Sequence, residues 1–99
     1  MSTIEKLAND QSLNQLFADY LTCSLYLAQS KAGKAVISKG VESALAKRLD
    51  QLTDTMISAV RRQHYLKNPT SETVRKAALH IMEQHPAGSD YYMRRLSVR

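Results

Sequence analysis

The sequence predicts an all-α fold, a small helical bundle with one long central helix at about residues 41–67. Between Val41 and Lys67 no Gly or Pro interrupts an apolar pattern with helical spacing. The 99 residues include only three Gly and two Pro, and no Asn-Gly or Asp-Gly pair is present to form a tight hairpin. Hydrophobic residues make up 43% of the chain, which suffices for one modest core. We therefore expect a single helical domain over residues 1–99.

Two helical segments are predicted before the long helix. Ser2 and Glu5 have the spacing of a capping box, which predicts one or two helical turns near the N-terminus. Apolar residues with helical spacing then predict a second helix at about residues 12–31, and Gly33 suits its C-terminal cap. Residues 31–40 are compatible with a short strand, a turn of helix or a buried connection.

The long helix carries an apolar seam whose members recur at alternating spacings of four and three residues. At 1.5 Å per residue this helix is about 40 Å long, more than the roughly 34 Å diameter of a compact chain of this length. A second chain would cover the overhang, so we expect a homodimer or a helical protein partner. The predicted oligomer interface consists of Leu45, Leu49, Leu52, Met56, Ala59, Gln63 and Leu66.

The long helix is predicted to stop at Asn68-Pro69, and a fourth segment follows it. Thr70 provides a new N-cap, and apolar residues from Val74 onward predict a helix at about residues 71–85. Residues 87–99 are expected to be either a flexible basic tail or a short terminal helix.

Positive charge is concentrated in the later part of the chain. The net charge of +5 divides into −2 for residues 1–30 and +7 for residues 31–99. Such a surface suits phosphates, anionic lipid or an acidic protein. Cations near a helix C-terminus also stabilise its dipole without any ligand. The candidate nucleic-acid contacts are Lys34, Lys39, Arg61, Arg62, Arg75, Lys76, Arg94, Arg95 and Arg99.

The residue types needed for catalysis do not recur in a recognisable pattern. Cys23 is the single cysteine and falls within a predicted helix, and the three histidines lack the spacing of a zinc site. Gly33-Lys34 is followed by Ala35 rather than by the Ser or Thr of a nucleotide-binding loop. We expect no enzymatic activity, metal, cofactor or small-molecule substrate.

The sequence also bears on location and on DNA-binding motifs. It contains neither the apolar region of a signal peptide at its start nor a run of about 18 apolar residues, so we expect a cytoplasmic protein without a membrane span. A ribbon-helix-helix arrangement would use residues 34–38 as a strand and would break the long helix near residues 53–55.

Two functional hypotheses follow from these patterns. The first is a non-catalytic regulatory or adaptor protein that acts by helix–helix self-association and by docking to a partner protein. The alternative is a small basic nucleic-acid-binding, transcriptional regulator. Salt separates them, because phosphate binding weakens steeply with salt whereas apolar docking does not.

Overall fold

The computed structural model describes residues 2–31, 33, 38–88 and 90–92, and these form helices without any strand. The all-α prediction is therefore confirmed. In chain order the helices are α1 (Thr3–Ala8), a 3₁₀ turn (Gln11–Leu13), α2 (Asn14–Lys31), α3 (Lys39–His64) and α4 (Ser71–Gln84).

Helices α2 and α3 form an antiparallel pair that spans the length of the molecule. Near their connected ends the Ser30 hydroxyl donates to the Glu42 carboxylate at 3.3 Å. At the opposite end Ser12 Oγ lies 2.9 Å from the Gln63 side-chain amide. The 26 residues of α3 extend for about 39 Å, which matches the 40 Å long axis of the molecule. The contacts of Glu42 and Gln63 show that the chain from Ser12 to Ser30 accompanies α3 over most of its length.

The main hydrophobic core lies at the end of the α2–α3 pair that is remote from the connection. Helix α4 packs there against both helices, and α1 packs on α4. The buried cluster of this core comprises Leu7, Leu13, Phe17, Tyr20, Leu21, Met56, Ala59, Val60, Val74, Ala77, Ala78 and Tyr92. Residues 24–31 of α2 and 39–51 of α3 contain no member of this cluster, and we call these two segments together the arm.

The middle of the predicted seam packs inside the chain. Leu52, Met56 and Ala59 are 3%, 0% and 4% exposed, so the folded chain offers none of them to a partner. The prediction that these three residues lie at an oligomer interface is therefore corrected. A helix face that is buried by other helices of the same chain has the same 3.6-residue periodicity as a face that is buried by a partner. Leu45, Leu49 and Leu66 are half-buried, and Gln63 is exposed. Self-association itself stays a prediction.

The observed helix ends differ from the predicted ones at α3. The helix begins at Lys39, because the Ser38 hydroxyl accepts a hydrogen bond from the Val41 N–H and caps it. It ends at His64, three residues before the predicted stop, because Tyr65 adopts a left-handed conformation. No break occurs at residues 53–55, so the ribbon-helix-helix alternative is wrong. Residues 34–37 of the predicted connection at 31–40, and residues 93–99 of the predicted tail or terminal helix at 87–99, lie outside the described residues.

Candidate nucleic-acid interface

The candidate site is built by the end of α3 and the turn that leads into α4. Tyr65 terminates α3 with φ 53° and ψ 31°, a conformation that Gly or Asn ordinarily supplies at a helix end. Pro69 is buried, and Thr70 then caps α4 through reciprocal hydrogen bonds with Thr73. The turn is therefore held at both ends, while the side chains between those ends reach solvent.

Three cations and one aromatic ring are exposed at this end of α3. Arg61 and Arg62 lie in its last turn, Tyr65 follows at its cap, and Lys67 lies in the turn beyond. The Tyr65 side chain is 88% exposed. No Asp or Glu occurs in the sequence between Asp54 and Glu72, so the segment carries positive charge alone.

The cations of this segment are not neutralised by the fold. Among the described residues, the contacts between basic and acidic side chains are those of His64 with Asp10 and of Arg75 with Glu72. Arg61, Arg62 and Lys67 take part in neither, so their charges are available to a ligand. Phosphate is the ligand chemistry that such a group of exposed cations favours.

The remaining predicted nucleic-acid contacts are distributed unevenly. Lys76 is exposed and lines a groove with Lys67, between the start of α1 and the α3–α4 turn. Arg75 donates from Nε to the Glu72 carboxylate at 3.0 Å, and this bond lowers the pKa of Glu72 and raises that of Arg75.

Lys39 lies at the far end of α3, so the structure does not bring it to the site. Lys34, Arg94, Arg95 and Arg99 lie outside the described residues.

A polar cluster, which we call the clasp, ties the end of α3 to the chain before α2. Asp10 Oδ2 lies 2.7 Å from His64 Nε2, and Asp10 Oδ1 accepts the Ser12 backbone N–H at 3.0 Å. Ser12 Oγ lies 2.6 Å from Asp10 Oδ1 and 2.9 Å from the Gln63 amide group. The atom of Gln63 in this contact is Oε1, and because a hydroxyl has one proton it donates to one acceptor, the nearer of which is the Asp10 carboxylate.

The clasp stabilises the ionised form of Asp10. The hydrogen bond from the Ser12 hydroxyl is the largest cause that lowers the Asp10 pKa below its ordinary 3.8, and the His64 and Ser12 N–H contacts add to it. Ser, His and Asp meet here, but the hydroxyl contacts the carboxylate rather than the imidazole. The contact between nucleophile and base that hydroxyl catalysis requires is therefore not formed in this arrangement. The clasp instead positions the end of α3.

A second aromatic group lies beyond α4. The rings of His85 and Tyr91 stack with centroids 4.3 Å apart, and Tyr92 meets both rings edge-on. Tyr92 is buried, whereas Tyr91 is 44% exposed. Tyr91 is thus partly covered by the imidazole, unlike the free-standing ring of Tyr65.

Features of other functional classes were also sought in the described residues. No three His, Cys, Asp or Glu side chains there are placed to hold a metal ion. Cys23 is buried. Across the described part of the chain, every helix is too short or too polar to cross a membrane. Comparison with protein-family models, curated proteins and solved structures finds no match to this chain.

Sequence reasoning missed Tyr65 and the clasp. Tyr65 has a weak signal in the sequence, an aromatic residue between Arg61-Arg62 and Lys67, but the apolar periodicity predicts that the helix continues to Lys67. Asp10 and His64 are 54 residues apart. Only the antiparallel pairing of α2 with α3 brings them together.

Proposed function

We propose that the protein is a non-catalytic nucleic-acid-binding protein whose contact surface is the end of α3 and the turn that follows. The observation that carries this proposal is that Tyr65 is exposed and that exposed cations outside both ion pairs precede and follow it in the chain. Cations contact phosphates and an aromatic ring stacks on bases, so the combination suits a nucleic acid better than either feature alone.

The test is fluorescence anisotropy of a labelled nucleic acid titrated with the protein at several salt concentrations. The wild type should bind at low salt with a negative log–log salt slope. Each phosphate contact contributes about 0.7 to that slope on a single strand and about 0.9 on duplex DNA. The double variant Arg61→Gln/Arg62→Gln should bind more weakly, with the slope reduced in magnitude by about 1.4 to 1.8.

The matched control removes two cations from another part of the same helix. Lys47 and Arg48 are exposed on the arm, more than three helical turns before Arg61. The double variant Lys47→Gln/Arg48→Gln should nearly retain wild-type affinity. Equal losses in both double variants would show attraction by net charge without a defined surface, and no binding at low salt would remove the proposal entirely.

A second candidate function, helix–helix self-association as an adaptor, is supported by the arm. Val41 is 48% exposed there, and Leu45 and Leu49 are half-buried at successive four-residue intervals along the same helix. A second copy of the chain could cover this strip by pairing with its own α3. The strip is narrower than the seam predicted from sequence, because the middle of that seam is in the core.

The test of self-association is the molecular mass in solution as a function of protein concentration. If the arm mediates it, wild type should approach twice its 11.1 kDa chain mass at high concentration. Val41→Glu should stay at the single-chain mass. Gln51→Glu adds the same charge at an exposed position of α3 and should behave as wild type. A wild-type mass of one chain at every concentration would exclude this function.

A further inference from the structure

Tyr65 combines two features that a folded chain ordinarily avoids. Its side chain is 88% exposed, more than any other large hydrophobic residue in the described part of the chain. Its backbone is left-handed, with φ 53° and ψ 31°. A bulky residue is strained in that region, where Gly or Asn is usual. Neither burial of the ring nor the backbone geometry therefore accounts for an aromatic residue at this position.

The surroundings of the ring indicate what it could contact. Arg61 and Arg62 precede it by one helical turn, and Lys67 follows two residues later, all exposed. The neighbouring Leu66 is half-buried and contacts the core. A surface that inserts into lipid needs a broad apolar face, whereas here a single exposed ring lies between exposed cations along the chain. Alternating phosphates and bases match that arrangement.

We propose that Tyr65 is the platform on which one base of a single-stranded nucleic acid stacks, while Arg61, Arg62 and Lys67 contact the flanking phosphates. Within a duplex both faces of each base are covered by neighbouring bases, but a single strand can offer a free face. The inference rests on the proposed function and adds to it the form of the nucleic acid and the residue that selects it.

The left-handed backbone provides a variant in which binding and stability separate. Tyr65→Asn removes the ring and places at φ 53° a residue that tolerates this conformation. The Tm of this variant should equal or exceed that of wild type, so a loss of binding would not reflect unfolding. Tyr65→Phe retains the ring and should retain binding.

The experiment measures anisotropy with a labelled single-stranded oligothymidine of about 12 nucleotides, within the range that one protein site covers. Tyr65→Asn should lower the affinity by roughly 5- to 150-fold, the range that loss of one stacked base gives. The salt slope should stay unchanged, because no phosphate contact is lost. A mixed-sequence duplex of similar length should bind more weakly, and Tyr65→Asn should not alter its affinity.

Three results would overturn the inference. Single-strand binding that depends on Arg61 and Arg62 but not on Tyr65 would remove the stacking role and leave the proposed function standing. Tighter binding to duplex than to single strand would reverse the selectivity. Binding to vesicles rich in anionic lipid, without binding to either nucleic acid, would remove both the inference and the proposed function.

Discussion

Replacing Met56 by Glu should strongly destabilise the fold or prevent the chain from folding. Met56 is 0% exposed, at the centre of the cluster shared by α1, α2, α3 and α4. A carboxyl group placed there loses its hydration without gaining a partner, and we expect a cost of at least about 4 kcal/mol. A domain of 99 residues has about 5–15 kcal/mol of stability in total. Thermal unfolding followed by circular dichroism should show a Tm lowered by at least about 16 °C, or no transition.

The neighbouring position provides the control. Thr55 is exposed on the same helix, so Thr55→Glu adds the same side chain without burying it and should leave the Tm nearly unchanged. The experiment also decides whether Met56 lies in the core of one chain or at an interface between two chains. A folded Met56→Glu variant with a smaller assembly than wild type would restore Met56 to an intermolecular seam and contradict the packing described above.

Replacing Asp10 by Ala should produce the second largest effect, a destabilisation of about 2–3 kcal/mol at neutral pH. The change removes the N-cap of the 3₁₀ turn, worth about 1 kcal/mol, and the charged hydrogen bond with His64, worth about 1.5–3 kcal/mol when fully formed. Asp10 and His64 are each 21% exposed, so water reduces the second contribution. Urea unfolding at neutral pH would measure the difference in free energy of unfolding.

The effect of this substitution should diminish below pH 3.8. Because the pKa of Asp10 is lowered in the folded protein, its carboxylate stabilises the fold fully above the ordinary value of 3.8. That contribution is lost as the pH falls through the folded pKa. The difference in free energy of unfolding between wild type and Asp10→Ala should therefore shrink as the pH falls below 3.8. Asp50→Ala, at an exposed position of α3, should show no such trend, and an Asp10→Ala difference that grows as the pH falls below 3.8 would contradict the lowered pKa of Asp10.

The fold was predictable to the extent that it depends on local periodicity and caps. Helices α2 and α4 occur close to the predicted residues, and Ser2 and Thr70 act as caps. The periodicity could not tell whether the α3 seam faces its own chain or another, because either partner buries the same stripe. That choice depends on where α4 packs, and so on residues such as Val74, which joins the same buried cluster as Met56 and Ala59 from another helix.

The candidate site was predictable in charge but not in geometry. Arg61, Arg62 and Lys76 were identified from sequence and are exposed as expected. The sequence predicts that α3 ends at Lys67, because Asn68-Pro69 is a strong stop signal. The helix ends three residues earlier, at His64, because Tyr65 adopts a left-handed conformation that its residue type does not predict. The exposure of that ring depends on the turn after it. The pairing of Arg75 with Glu72 likewise reflects a local side-chain geometry that composition does not specify.

Only the first half of α3 belongs to the arm, and the two halves should differ in how readily their backbone hydrogen bonds break. The later half of α3 packs in the buried cluster, so its backbone amides should exchange with solvent only when the whole domain unfolds. Residues 39–51 contribute no buried member to that cluster, and of them Leu49 packs against it, so we expect the hydrogen bonds before Leu49 to break in a smaller opening that leaves the rest folded. One continuous helix would thus combine a rigid segment that holds the basic surface with a segment that opens more readily at the opposite end of the molecule.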